Sequence, residues 1–191
     1  MNNKDFLLAI LFIAIGFIYR IIPLHLPNFT PIAAMALVGG MYMNKKALAF
    51  LVPIAALYLS DLILNNFIFK DALGTTTGGL VLWADYMYFT YGAMLITVLI
   101  GMALSTKSIG SKIVGGTLTS SIVFYLLADF GSWLSLPIYT KNFGGLVAAY
   151  IAGFPYFLMT LLGTMIFSIV FIGSIEYLKR AKAIKLSQKV S

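Results

Sequence analysis

The sequence predicts an all-α, polytopic membrane protein in which six transmembrane helices form one domain over residues 1–191. Two observations predict this class. The chain is 61% hydrophobic and only 10% charged, with a mean hydropathy of +0.97, and a soluble domain of this size cannot hide that much apolar surface. Apolar runs close to the length of a bilayer crossing also alternate with short polar breaks.

Six apolar runs are the predicted spans: residues 6–22, 32–43, 47–69, 86–104, 109–130 and 146–178. The first has no small-residue cleavage site after it, so we expect a retained helix rather than a signal peptide. The second is short, and we expect it to be tilted with its flanks or partly re-entrant. The sixth is too long for one crossing, and we expect Pro155 to divide it into a short helix and a full span.

The basic residues predict that both termini lie in the cytoplasm. With six crossings and the N-terminus inside, ten of the thirteen lysines and arginines fall on the inner side, and only Arg20, Lys70 and Lys141 fall outside. This asymmetry follows the positive-inside rule. We expect the basic tail, residues 179–191, to lie on anionic lipid. The net charge of +7 therefore indicates orientation and contact with the lipid bilayer, and we expect no nucleic-acid partner.

Several classes of chemistry have no support in the sequence. The chain has no cysteine, which excludes disulfides, thiolate metal sites and cysteine nucleophiles. It has no HExxH motif, no nucleotide-binding motif and no serine–histidine–acid set with a meaningful spacing. We therefore expect no catalytic residues and no bound cofactor.

Polar residues gather on the side predicted to be outside. The segment from Arg20 to Pro31 interrupts the apolar chain and holds its only histidine and three of its six prolines. Irregular backbone in such a chain is kept out of the lipid or buried in protein, and binding sites are often built there. The predicted ligand-binding residues are Arg20, His25, Asn28, Asp61, Asn65, Thr76, Tyr86, Asp129, Trp133, Tyr139 and Asn142.

The charged candidates each have a structural alternative. Asp61 follows a long apolar run, where an acid is costly unless it is paired, so it marks a functional site, a structural pair with Arg20 or a cap at the start of the following loop. Arg20 either grips a substrate carboxylate or phosphate, or ends the first span and reaches lipid phosphate. His25 is a hydrogen-bond donor or metal ligand, or it is a turn residue among headgroups. Asp129 has the same two interpretations as Asp61.

The aromatic and small residues have alternatives too. Trp133 and Tyr139 are predicted to stack on a ligand, although an interfacial belt of aromatic residues would give the same pattern. Alanines and glycines of the second run, up to Gly40, predict close helix packing within the chain. The loop Thr75–Gly79 has no preceding strand, which excludes a phosphate-binding loop, and its glycines suggest a mobile lid.

Several motifs resemble an uncharacterised family of bacterial membrane proteins of about this length, and the similarity covers most of the chain. The matching residues are Arg20, 23–34 (PLHLPNFTPIAA), 39–40, Pro53, 60–61, 91–92, 129–133 (DFGSW), 144–146 and 155–157. Asp129 stands where we expect asparagine in that family, which weakens the case for an essential acid there. The resemblance implies a multi-pass protein of the bacterial cytoplasmic membrane.

The order of features is also similar to the substrate-binding S components of energy-coupling factor vitamin transporters. A first helix ends at Arg20, a proline-containing loop leads to a helix of small residues, and a third helix ends at Asp61 before a glycine-rich loop. The resemblance implies an S-component-like bundle with an outward-facing pocket, closed by the outer loops. Such proteins often dock on a coupling module through Ala-x-x-x-Ala, but here Ile13 lies four residues after Ala9.

Three functions follow as hypotheses. The leading one is a substrate-binding protein for uptake of a vitamin or cofactor precursor, with a cobalamin-type ligand as the first choice because His25 would then ligate cobalt. It works either alone or with an energy-coupling module. The second is a membrane enzyme acting on lipid or isoprenoid through Asp61 and Asp129. The third is a structural or assembly subunit without a ligand, which predicts a tightly packed interior.

Overall fold

The computed structural model describes residues 3–22, 27–68 and 79–190. These residues form six α-helices: α1 (Asn3–Ile21), α2 (Ile32–Tyr42), α3 (Lys46–Ile63), α4 (Tyr86–Leu104), α5 (Gly116–Ser135) and α6 (Phe143–Val190). A π-helical turn, Leu64–Ile68, extends α3, and a second one, Ser111–Gly115, leads into α5. The all-α class and the six helices are confirmed, and α4 has the bounds that the sequence predicts.

Within the described residues, four helical stretches are long and apolar enough to cross a membrane, judged by length and composition. They are Lys46–Ile68, Tyr86–Leu104, Ser111–Ser135 and Phe143–Ile184. Ile10–Ile21 of α1 and the whole of α2 are shorter apolar helices. Large apolar side chains such as Leu99 and Ile169 are more than half exposed on these helices. In water such exposure would be unfavourable, whereas lipid accepts it.

The prediction that Pro155 divides the sixth run was wrong. α6 runs unbroken over 48 residues with Pro155 inside it, and α3 likewise contains Pro53. A proline inside a helix removes one backbone hydrogen bond and costs ~3 kcal/mol or more in soluble proteins. Within a membrane, neighbouring helices, hydroxyl side chains and small local adjustments satisfy the freed backbone group, so helices containing proline persist.

The short helix α2 forms the centre of the bundle. Ten of its eleven residues are buried, because it packs against α3, α4, α5 and α6. An 11-residue helix is about 16 Å long, at 1.5 Å per residue, which is roughly half of a bilayer core. Its sequence has no polar face because all of its sides are enclosed by protein.

Two glycines set the distance between α2 and α4. A Cβ atom added to Gly40 would lie 2.2 Å from the carbonyl oxygen of Val98, and one added to Gly101 would lie 2.3 Å from that of Leu37. Neither space admits a side chain, so the two backbones touch directly. The predicted packing role of Gly40 within the chain is therefore confirmed.

A polar cluster lies at the C-terminal end of α2. The Tyr42 hydroxyl donates a hydrogen bond to Glu176 Oε1 at 2.7 Å, and the Nζ atoms of Lys112 and Lys179 lie 3.6 and 3.4 Å from the same oxygen. Both ammonium groups also lie over the Tyr42 ring, 4.8 and 4.3 Å from its centroid. We call these four residues the Tyr42 cluster; they tie α2 to α6 and to the turn before α5.

Candidate functional site

A cavity of about 410 Å³ lies at the opposite end of α2, between α1, α3, α4, α5 and α6. Small-molecule sites typically measure ~300–1,000 Å³, so this cavity is large enough to hold a ligand. Its lining mixes charged, hydroxyl and aromatic side chains. The lining residues are Arg20, Asn28, Leu57, Asp61, Tyr86, Thr90, Phe124, Tyr125, Ala128, Asp129, Ser132, Leu136, Tyr139, Ala152, Gly153, Tyr156, Phe157 and Thr160.

A buried ion pair between Arg20 and Asp61 forms one wall. Asp61 is only 1% exposed, and its Oδ1 lies 2.8 Å from Nη2 of Arg20. The Tyr91 hydroxyl donates to its Oδ2 at 2.8 Å, while Nη1 of Arg20 donates to Ser60 Oγ at 2.8 Å. The structural pair that the sequence offered as one interpretation of Asp61 is therefore present, and both partners also line the cavity.

The helices explain why this pair forms where it does. Arg20 occupies the last turn of α1, where unpaired backbone carbonyls favour a cation. Asp61 lies two residues before the end of α3, and α1 packs against α3. A buried acid is tolerated when an opposite charge and hydrogen-bond donors surround it. The two helices bring those partners together at the edge of the cavity.

Asn65 supports the cavity from behind. It is 2% exposed and sits in the π-helical turn Leu64–Ile68, a conformation that is frequent at functional sites. Its Oδ1 accepts a hydrogen bond of 2.9 Å from the hydroxyl of Tyr86, which does line the cavity. Asn65 therefore positions Tyr86 and does not itself face the cavity.

Asp129 differs from Asp61 in having no partner among the residues that the structure describes. It is partly buried on α5 and lines the cavity. Within the part of the chain that the structure describes, its carboxylate makes no salt bridge and no hydrogen bond. A Cβ atom added to Gly153 of α6 would lie 2.1 Å from Asp129 Oδ1, so the carboxylate rests against a backbone that only glycine leaves open.

Aromatic rings form the wall made by α5 and α6. The Tyr125 ring lies 5.0 Å from that of Phe157 and 5.4 Å from that of Tyr150, measured between centroids. The Tyr125 hydroxyl donates to the Tyr150 carbonyl at 2.7 Å, which fixes the orientation of its ring. Tyr139 and Tyr156 complete the aromatic lining on this side.

The remaining predicted residues have other places. Trp133 donates its indole N–H to the Thr140 carbonyl at 2.9 Å, and Asn142 Oδ1 accepts from the Gly145 N–H at 2.9 Å. These two bonds shape the connection between α5 and α6, and neither Trp133 nor Asn142 lines the cavity. His25, Thr76 and most of the predicted lid lie outside the described residues.

Sequence reasoning missed several lining residues that a helical spacing would have found. On α5 the lining positions 124, 125, 128, 129 and 132 follow one helix face around Asp129, and Leu136 lines the cavity just after the helix ends. On α6, Gly153, Tyr156, Phe157 and Thr160 follow the same spacing. Residues three and four positions from Asp129 on the same helix include Tyr125. This spacing would therefore have identified part of the aromatic lining from the sequence.

A family model for a family of unknown function, DUF6580, matches residues 1–186 of this sequence. The chain belongs to this family. Neither a curated protein nor a solved structure matches it. The resemblance to a family without an assigned function is thus confirmed. The described residues that line the cavity, from Arg20 to Thr160, lie inside the DUF6580 match.

Proposed function

We propose that the chain is a membrane-embedded binding protein that captures a small vitamin or cofactor precursor for uptake. The observation that carries this proposal is the cavity of about 410 Å³ with its mixed polar and aromatic lining. We place the protein in the bacterial cytoplasmic membrane with both termini inside and the cavity facing outward, as the charge asymmetry predicts. The proposal also draws on the order of features in the sequence, which resembles that of an S component.

The dimensions of the cavity favour a ligand smaller than cobalamin. Sites for drug-sized molecules span ~300–1,000 Å³, and the cavity lies near the lower end of that range. A corrinoid is much larger than a drug-sized molecule. The proposed cobalt ligand, His25, also lies outside the described residues. We therefore keep the vitamin-uptake proposal and move its ligand from a corrinoid to a smaller molecule.

The same proposal covers whether uptake depends on an energy-coupling module. Ile13 replaces the second alanine of the docking motif that S components often use. The proposal therefore does not depend on an energy-coupling module, and a solitary transporter is the simpler form of it.

A membrane enzyme is the second candidate, because Asp61 and Asp129 line the same cavity. Both oxygens of Asp61 are already engaged by Arg20 and Tyr91, which leaves Asp129 as the available acid. If Asp129→Asn abolished turnover of a lipid while leaving its binding intact, the enzyme would be favoured over the binding protein.

The test is to purify the protein in mild detergent and identify the small molecules released on denaturation by mass spectrometry. Titration calorimetry with a panel of water-soluble vitamins complements this measurement. We expect one small molecule to be bound in stoichiometric amount. Ala128→Leu, which adds bulk to the cavity lining, should abolish binding, and Ala148→Leu on the exposed face of α6 should not. A protein that releases no small molecule and binds no vitamin would refute the proposal.

A further inference from the structure

The charges around the cavity indicate which chemical class of ligand it accepts. Among the described lining residues, three carry a formal charge: Arg20, Asp61 and Asp129. Arg20 and Asp61 compensate each other at 2.8 Å. Asp129 has no salt bridge in the described part of the chain. When Asp129 is ionised, the described lining therefore carries one uncompensated negative charge.

An uncompensated carboxylate in a membrane protein is costly, and it is normally paired or functional. The pairing groups that proteins use are lysine, arginine, histidine or a metal ion. Among the lining residues that the structure describes, Arg20 is the one cation, and it already pairs with Asp61. No group of three or more acidic, histidine or cysteine side chains is placed to hold a metal ion among the described residues. A positively charged group of a bound molecule would be the missing partner.

The aromatic wall fits the same class of ligand. Tyr125, Tyr156 and Phe157 line the cavity from the two helices that hold Asp129 and its glycine neighbour. The faces of aromatic rings attract cations, and cages of such rings recognise quaternary ammonium groups. The rings also offer flat apolar surfaces against which the uncharged part of a ligand can stack.

We propose that this cavity binds an organic cation, an amine or quaternary ammonium compound with an aromatic or alkyl body. Its positive group lies at the Asp129 carboxylate beside Gly153, and its body packs against the rings of α5 and α6. The inference rests on the proposed binding function and names the ligand class for that same site. It assigns Asp129 to ligand binding and Arg20 with Asp61 to the framework of the cavity.

Three probes of nearly the same size and different charge test the assignment: tryptamine, indole-3-acetamide and indole-3-acetate. Their binding to the purified full-length protein is measured by equilibrium dialysis at neutral pH. We expect tryptamine to bind at least ~10-fold more tightly than the neutral amide, a difference of about 1.4 kcal/mol. The anion should bind most weakly, because it meets the carboxylate of Asp129.

Two variants separate the charge of Asp129 from its shape. Asp129→Asn keeps the size of the side chain and should remove the ~10-fold preference for tryptamine over the amide. Asp85→Asn removes an exposed acid just before α4 that does not line the cavity, and it should leave the preference unchanged. If Asp129→Asn retained the preference, the inference would be wrong.

The aromatic wall is tested in the same assay. Tyr156→Leu removes a lining ring and should weaken tryptamine binding several-fold, in the range measured for cation–aromatic contacts. Tyr177→Leu removes a ring on the same helix that is 72% exposed and should have no effect. Equal losses in both variants would contradict a role for the wall.

The two proposals fail in different ways. Preference for the anion, or no binding of tryptamine at millimolar concentration, overturns the cationic ligand. If a neutral or anionic vitamin nevertheless co-purifies in stoichiometric amount, the binding function stands and only its ligand class changes. If no small molecule of any charge is released or bound, the proposed function itself is refuted.

Discussion

The two ends of α2 carry ionic groups that are arranged in different ways. At its N-terminal end lies the cavity with the Arg20–Asp61 pair and the carboxylate of Asp129, which has no salt-bridge partner in the described part of the chain. At its C-terminal end lies the Tyr42 cluster, where Glu176 is contacted by a tyrosine hydroxyl and two ammonium groups. The formal charge, counting these groups as ionised, is one negative at the cavity and one positive at the Tyr42 cluster.

The cavity at the N-terminal end of α2 leaves space for a ligand, whereas the Tyr42 cluster at the C-terminal end joins the helices directly. A second small cavity, about 60 Å³ in volume, also borders Arg20 and extends towards Thr164, so both described cavities lie at the same end of α2. In the Tyr42 cluster the polar groups bind one another directly. Lys112 there is only 6% exposed. We infer that the cavity end can accept a ligand while the Tyr42 end is held shut.

Breaking the Arg20–Asp61 pair should have the largest effect on stability. Asp61→Asn keeps the shape of the side chain but removes the negative charge that lies 2.8 Å from the Arg20 guanidinium. Removing one partner of a buried pair typically costs about 3–5 kcal/mol. The measurement is reversible unfolding in mixed micelles with increasing SDS. Asp85→Asn, at an exposed position, is the control, and a similar small change in both variants would show that the pair is not needed for folding.

The crossing of α2 and α4 should be the next most sensitive feature, because the two backbones touch directly at Gly40 and Gly101. Gly101→Ala places a Cβ atom 2.3 Å from the Leu37 carbonyl oxygen, and overpacking of this kind costs about 1–3 kcal/mol. Gly92→Ala on the same helix meets no atom within 4 Å and should be neutral or slightly stabilising. Equal unfolding midpoints for the two variants would contradict the close approach of the helices.

The Tyr42 cluster should respond less strongly than the Arg20–Asp61 pair. Glu176→Gln preserves a hydrogen-bond acceptor for Tyr42 but removes the counter-charge of Lys112. We expect a loss of about 1–2 kcal/mol, because Glu176 is 20% exposed and water shares in its interactions. Lys179→Ala removes an ammonium group on a side chain that is 56% exposed and should change the unfolding free energy by less than about 0.5 kcal/mol. A loss after Glu176→Gln as large as that after Asp61→Asn would remove the distinction between the two ends.

The fold was largely predictable because the signals that define it are local. Composition and the length of the apolar runs predicted the helices, since a chain this apolar has few alternatives in lipid. The depth of Asp61 in an apolar run likewise gave its pairing with Arg20 as one of the expected interpretations, and the pair is present. The unbroken α6 was not predictable from Pro155, because its effect depends on the neighbouring helices and the surrounding solvent.

The cavity was only partly predictable, because it depends on how the helices meet. Asp129 was singled out as an acid in an apolar run, and that is a property of the sequence. The contact of its carboxylate with Gly153 depends on how α5 packs on α6, which no local pattern contains. Trp133 is a residue type that often contacts ligands, yet its indole N–H donates its hydrogen bond to the Thr140 carbonyl. A residue type can thus suggest a site without deciding which cavity it faces.

A smaller effect at the cavity end concerns the second partner of Asp61, Tyr91. Tyr91→Phe removes the hydroxyl that donates to Asp61 Oδ2 at 2.8 Å while keeping the ring. Because Arg20 still compensates the charge, we expect a loss of about 1 kcal/mol, the typical net value of one hydrogen bond. Tyr88→Phe is the matched control on α4, since Tyr88 is 65% exposed. The same Tyr91→Phe substitution, made in the Asp61→Asn variant, should lower the free energy of unfolding by less than it does in the wild type, because the charged acceptor is gone. Additive losses would mean that Tyr91 stabilises the bundle through its ring and not through Asp61.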